Sequence, residues 1–162
     1  MEGRTIKLLV MDVDGTLTDG KIYLSELGEC IKAFDVKDGL GIRDILPSLH
    51  IIPVIMTGRV SEILSRRCRE LGIEYLYQGI LDKKEMLNQL LEKLQIHLEE
   101  TAFIGDDIND LECMKIVGIA ACPKDAVKQI IEIADFVTES IGGHGAVREF
   151  IDWLSNEGFY YC

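Results

Sequence analysis

Asp12 and Asp14 stand one residue apart in "MDVDGTLTDG" (11–20), directly after the apolar run "IKLLV", and Gly15 and Thr16 follow at once. Further apolar runs lead into Thr57-Gly58-Arg59, into the Gln78–Lys84 stretch that holds Lys83, and into "GDDIND" with Asp106, Asp107 and Asp110. Carboxylates gathered in one place repel. Two unit charges about 4 Å apart cost about 4 kcal/mol at an effective dielectric of about 20. A cation removes that cost. Oxygen ligands without His or Cys favour a hard ion, and Mg²⁺ is the usual one beside phosphate. These residue types therefore predict acids that hold Mg²⁺ at a site that takes a phosphate group.

The elements around these residues must bring them together. "IKLLVM" (6–11), "IIPVIMT" (51–57), "EYLYQ" (74–78), "TAFIG" (101–105), "IAAC" (119–122) and "DFVT" (135–138) read as short strands. Between them lie helical patterns. Asp38 is a candidate cap for a helix from Gly39 to about Leu46, which Pro47 ends or bends. "VSEILSRRCRELG" closes on Gly72. In "DKKEMLNQLLEKLQI", Met86, Leu87, Leu90, Leu91 and Leu94 keep the helical period and Asp82 can cap it. "DINDLECMKIVG", "DAVKQIIEIA" and "AVREFIDWLSN" read as the remaining helices. The segment 21–36 reads as a β-hairpin around "ELGE", with Gly28 in the turn.

Strands alternating with helices imply an α/β domain with a mostly parallel, Rossmann-like sheet and helices on both faces. Such sheets bind ligands beyond the carboxyl ends of their strands, which is where all the residues above fall.

Bulk properties narrow the partners. The chain has 162 residues, the size of one domain (1–162), and 28 acidic against 17 basic residues give a net charge of −11. That argues against nucleic acid and anionic membrane as partners. Five scattered cysteines without a CxxC pair suggest free thiols in a reducing compartment. With no signal-peptide pattern and no run long enough to span a bilayer, the expected location is the cytoplasm.

"DVDGT", "TGR", "DK" and "GDDIND", in this order, resemble the four motifs of the haloacid dehalogenase superfamily of phosphohydrolases. "TDGKIYLSELGE", "FDVKDGLGI", "YLYQG" with Lys83, "GDDINDLECMKIVGIA" and "GGHGAVREF" resemble its small capless subgroup. That subgroup contains 3-deoxy-D-manno-octulosonate 8-phosphate phosphatase, and relatives of that enzyme act on nonulosonate 9-phosphates of KDN or sialic acid type. The resemblance implies a Mg²⁺-dependent hydrolysis of a phosphorylated sugar acid, with no cap domain over the site. It also implies a homotetramer in which hairpins assemble and a neighbour roofs each site.

On this reading Asp12 is the nucleophile that forms an aspartyl-phosphate. Asp14, two residues on and on the same side of an extended chain, suits a general acid that protonates the leaving oxygen and then takes a proton from water. The resemblance assigns the same roles and makes the Asp12 carboxylate, the Asp14 backbone carbonyl and Asp106 the metal ligands. Gly15 and Thr16 allow a sharp turn that offers N–H groups to phosphate. Thr57, with Gly58, offers a hydroxyl and an N–H to a phosphoryl oxygen. Lys83 neutralises the phosphoryl group and holds the nucleophile.

Asp107 and Asp110 either orient metal waters or cap the next helix. Arg59 can pair with a substrate carboxylate. In the resemblance, octulosonate phosphatases carry Arg at this place and a KDN 9-phosphate branch carries Glu. "IGGHGAVRE" (141–149) resembles a tail that reaches a neighbouring site, and His144 within it is given no catalytic role. Two other classes compete. A phospho-accepting receiver domain also uses clustered acids, Mg²⁺, a Thr and a Lys, but its acceptor follows a later strand. A binding or allosteric subunit that has kept the fold would not need all four motifs intact.

Overall fold

The computed structural model describes residues 5–159. In chain order its strands are β1 (Leu8–Met11), β2 (Tyr23–Ser25), β3 (Gly28–Ile31), β4 (Ile52–Met56), β5 (Tyr75–Tyr77), β6 (Thr101–Ile104), β7 (Ile119–Cys122) and β8 (Phe136–Val137). The helices are α1 (Val36–Leu40), α2 (Leu46–Ser48), α3 (Glu62–Leu71), α4 (Lys83–Leu94), α5 (Leu111–Met114), α6 (Lys128–Ile131) and α7 (Ala146–Asn156). Six strands form one sheet in the order β5-β4-β1-β6-β7-β8, every pairing parallel. The expected α/β architecture is therefore present, and β1 lies inside the sheet between β4 and β6.

Strand alternation builds the two core layers. Leu9 and Met11 face one side, with Val147, Phe150, Ile151 and Leu154 of α7 and Leu64, Cys68 and Leu71 of α3. Leu8 and Val10 face the other, with Leu87, Leu90 and Leu91 of α4. Both faces are covered, which is why these strands read as continuous apolar runs. Ser61 caps α3 by accepting from Leu64 N–H at 3.2 Å, and Gly72 closes it at φ 69°. Asp82 caps α4 as expected, accepting from Glu85 N–H at 2.9 Å.

Local chemistry overrides the sequence reading in three helices. The helix assigned to Gly39–Leu46 begins at Val36 and is capped by Asp35, whose carboxylate accepts from Lys37 N–H at 2.7 Å. Asp38 instead caps a distant helix: it is buried and accepts from Arg148 N–H, in the first turn of α7, at 2.8 Å. Pro47 does not end the helical path. A π-turn over Gly41–Ile45, with Leu46 N–H bonded to Gly41 C=O, precedes it and relieves the clash a proline ring makes one turn back.

The helix expected over 107–118 is a 3₁₀ turn (Ile108–Asp110) followed by the short α5. That expected over 125–134 contracts to α6, because Asp125 leaves the helix to accept from Gly142 N–H at 2.9 Å. The hairpin forms with Glu26 and Leu27 at its tip, narrower than 21–36, and with β2 and β3 antiparallel. Ile6 N–H bonds to Phe159 C=O at 2.8 Å, so the two ends of the described chain lie together. Cys162 lies outside the described residues.

Candidate active site

Parallel register carries the chemistry to one edge. Met11 pairs with Ile55 on one side and Ile104 on the other, so the residues following β1, β4 and β6 emerge side by side. Asp12 follows β1 directly and is 4% exposed. Its Oδ1 lies 2.6 Å from Lys83 Nζ, and the same ammonium lies 2.6 Å from Asp110 Oδ1. Lys83 opens α4, where a cation opposes the helix dipole. Two buried carboxylates compensate that placement.

Asp12, Asp106 and Asp110 each offer a carboxylate oxygen, all within 4.8 Å of one another. This oxygen-only set suits a hard divalent cation. Burial pushes the carboxyls of all three up to about 6. For Asp12 the Lys83 ammonium works against burial; for Asp106 and Asp110 the charge of a neighbouring acid, Asp110 and Asp12 respectively, adds to it. Burial alone would pull the Lys83 ammonium down, but Asp12 and Asp110 raise it overall. Close acids with raised carboxyls favour a nearby positive charge, which suits a divalent cation held among them.

Glycines permit this approach. Gly15 has φ +98°, and a Cβ there would stand 2.0 Å from Asp106 Oδ2. Gly105 lies so close to Asp110 that a Cβ would stand 2.4 Å from its Oδ2. Thr16 is buried and donates to Asp106 Oδ1 at 3.0 Å. Asp110 accepts from the N–H groups of Asp106 (3.1 Å) and Asp107 (3.4 Å), closing the turn that interrupts the expected helix. Asp107 is turned to that turn as well, accepting from Ile108 N–H at 2.7 Å, so its carboxylate caps.

Thr57 is buried at the end of β4, fixed by its N–H to Tyr77 C=O at 2.9 Å, and its hydroxyl accepts from Arg59 N–H at 3.4 Å. A Cβ at Gly58 would meet Ile80 C=O at 3.6 Å, an ordinary contact, so packing alone does not demand glycine there.

The Asp14 side chain is held by the hairpin rather than by the three-acid cluster. Its Oδ1 lies 2.5 Å from Lys32 Nζ, and Arg59 Nε stands 3.9 Å from its Oδ2. Asp110 thus supplies the third side chain of the acidic cluster, whereas the metal role that the resemblance implies for Asp14 uses its backbone carbonyl. Lys32 also pairs with Glu29 at 3.3 Å, and Glu29 accepts from Ser61 Oγ at 2.5 Å. Sequence reading passed over Lys32, Glu29, Ser61 and Gly105. The signal for the first two is an inverted hairpin, with charged side chains enclosed and Leu24 and Ile31 exposed, and it is visible once the inner face is known.

The 141–149 segment is placed by its contacts with its own chain's loop after β1. Gly143 N–H bonds to Thr16 C=O at 3.0 Å, and a Cβ on Gly142 would fall 1.9 Å from Gly15 C=O. His144 Nδ1 lies 3.0 Å from Gly142 C=O, so the ring is held within that loop.

The arrangement has close counterparts. Residues 50–151 match the haloacid dehalogenase-like hydrolase family. The 3-deoxy-D-manno-octulosonate 8-phosphate phosphatases of Salmonella typhi and Escherichia coli K12 are each 46% identical over 153 residues, 94% of this chain and 81% of theirs. Among solved structures, the Moraxella catarrhalis phosphatase of that name, in complex with magnesium, phosphate and KDO, is 41% identical with a TM-score of 0.90. The match covers 95% of this chain and 89% of that one. The cobalt-bound Haemophilus influenzae enzyme is 39% identical with a TM-score of 0.90, covering 95% and 90%. Sheet order, acid cluster and whole-length likeness agree: this chain belongs to the haloacid dehalogenase-like hydrolases.

Proposed function

We propose that the protein is a Mg²⁺-dependent phosphatase of 3-deoxy-D-manno-octulosonate 8-phosphate, acting through an aspartyl-phosphate on Asp12. The observation that carries this reading is the Asp12 carboxylate, buried beside Lys83 and within one small cluster with Asp106 and Asp110. The extended likeness to octulosonate phosphatases supports the substrate. Arg59, facing the hairpin beside Asp14, is a guanidinium suited to the sugar acid's carboxylate.

The Asp12 and Asp106 carboxylates and the Asp14 carbonyl would hold Mg²⁺, with Asp110 orienting the centre through Lys83 and the amides of residues 106 and 107. Bound there, the ion supplies charge neutralisation for an anion attacked by an anion. Asp12 attacks phosphorus as the bond to the sugar oxygen breaks, and Asp14 gives that oxygen a proton. Asp14 then takes a proton from water as the water oxygen attacks phosphorus and the bond to Asp12 breaks, releasing inorganic phosphate. Lys83 holds Asp12 and balances phosphoryl charge; Thr57, Gly58, Gly15 and Thr16 bind phosphoryl oxygens. Asp107 acts by capping the turn.

One domain spans residues 1–162, with the hairpin as its flap. Leu24, Leu27 and Ile31 are exposed on that hairpin, which favours a homotetramer built on it. Among the described residues no helix is long and apolar enough to cross a membrane. Cys30, Cys68, Cys113 and Cys122 are free, as suits the cytoplasm.

The test is phosphate release with Mg²⁺ from the octulosonate 8-phosphate and from KDN 9-phosphate. The expected outcome is a clear preference for the former, abolished by chelator and by Asp12→Asn with the melting temperature retained. Comparable feeble rates with both would sink the substrate assignment, preference for KDN 9-phosphate would move it to the nonulosonates, and a single turnover that stalls would indicate a receiver.

A further inference from the structure

Asp14 is the one proposed reacting carboxylate that the acid cluster does not hold in place. Its support comes from the hairpin. Lys32 follows β3, and its side chain is 3% exposed although the hairpin around it is open to solvent. Nζ reaches Asp14 Oδ1 at 2.5 Å and Glu29 Oε2 at 3.3 Å. Glu29 is fixed in turn by Ser61 Oγ at 2.5 Å, and Arg59 lies 3.6 Å from it. Burial would raise the Glu29 carboxyl, but the Ser61 hydroxyl and the Lys32 and Arg59 cations hold it below the usual range, so it stands as an anion. Ser61 N–H is bonded to Gln78 Oε1 at 2.7 Å, and Gln78 donates to Ser65 Oγ at 2.8 Å. The chain of contacts therefore runs from α3 and the end of β5 through Glu29 to Lys32 and Asp14.

Burying a lysine costs free energy unless it is paired. A surface hairpin has open water available for such a side chain, yet this one is directed inward onto a single carboxylate oxygen. Asp14 Oδ2 meets the Arg59 guanidinium at 3.9 Å, too long for a hydrogen bond, so Lys32 holds Oδ1 and leaves Oδ2 unheld.

We infer that Lys32 is a positioning residue for Asp14: it fixes Oδ1 so that Oδ2 faces the leaving oxygen, and Glu29 keeps Lys32 in that place. This rests on the phosphatase reading above. The atom balance is unchanged: as the phosphorus–oxygen bond breaks, the Asp14 proton passes to the leaving oxygen. The device matters where the leaving oxygen is a poor one. An alkoxide needs its proton in the transition state, whereas p-nitrophenolate leaves without one.

The experiment compares kcat/KM on the octulosonate 8-phosphate, an alkyl ester, and on p-nitrophenyl phosphate, for wild type, Lys32→Met and Lys32→Arg, with Mg²⁺. This constant covers the steps up to departure of the leaving oxygen and leaves out the aspartyl-phosphate hydrolysis common to both. Loss of a positioned general acid is worth about 100-fold or more. Lys32→Met is expected to lower kcat/KM on the alkyl ester by about that factor, with a loss at least about tenfold smaller on the aryl ester. Lys32→Arg is expected to restore much of the ratio. Equal losses of kcat/KM on both esters, or no loss, would overturn the inference. Should Lys32→Met fail to fold, Glu29→Gln, which frees the lysine without removing it, must show the same selective loss; an unchanged ratio would overturn it equally. A wild-type protein that cleaves neither ester would instead remove the phosphatase reading.

Discussion

At the residue scale the site depends as much on missing side chains as on present ones. Gly15 holds φ +98° with Asp106 against the place a Cβ would occupy. Gly15→Ala must push Asp106 aside by more than an ångström, and a displacement of that size costs about 100-fold in rate. Steady-state kinetics of Gly15→Ala are therefore expected to show a loss of that order, with the acidic cluster rather than the core disturbed; a Gly15→Ala protein of wild-type rate would mean that Asp106 has no fixed role. The candidate residues Asp12, Thr57, Lys83 and Asp106 could be picked out from the sequence, because each directly follows an apolar run or opens a helix. Lys32 and Glu29 could not, because a charged residue on a short hairpin looks like any solvated one until the fold shows which face is enclosed.

At the element scale, helix termini decide where the sequence reading held and where it failed. Asp82 and Gly72 act on their own helices, so local pattern found them. Asp38 acts on a helix more than a hundred residues away, and no local pattern carries that information. Its Oδ2 is buried without a protein partner among the described residues, and burial raises its carboxyl to about 6 despite the Arg148 and Gly145 amides. The folded state thus binds this proton more tightly than the unfolded chain, whose ordinary value is 3.8. Stability from this group is complete below that value and is lost as pH rises through about 6. Asn cannot ionise and still offers Arg148 an oxygen. In denaturant melts, Asp38→Asn is expected to gain on the wild type steadily between about pH 4 and pH 7. A difference that does not change with pH would refute the buried charge.

At the scale of the whole molecule, a two-stranded hairpin is marginal by itself, and here β2 and β3 pair with each other and not with the sheet. It nevertheless exposes Leu24 at 68%, Leu27 at 99% and Ile31 at 57% while turning Lys32 and Glu29 inward. The proposed tetramer would cover those apolar side chains. Sedimentation of the wild type is expected to give four copies, and Leu24→Glu with Ile31→Glu to give smaller species of lower activity. A monomeric wild type with full activity would count against the assembly. The large-scale architecture was legible because strands buried on both faces read as unbroken apolar runs; subunit contacts leave no such periodic mark.

The packing of Gly142 and Gly143 against Gly15 and Thr16 has a consequence for how the protein comes into being. The loop that follows Asp12 lies more than a hundred residues ahead of the backbone that braces it, so it is synthesised first. During synthesis that loop waits, unbraced, until residues 142 and 143 have emerged. A chain halted before that point would hold Asp12, Lys83, Asp106 and Asp110 without the backbone that braces the loop beside Asp12.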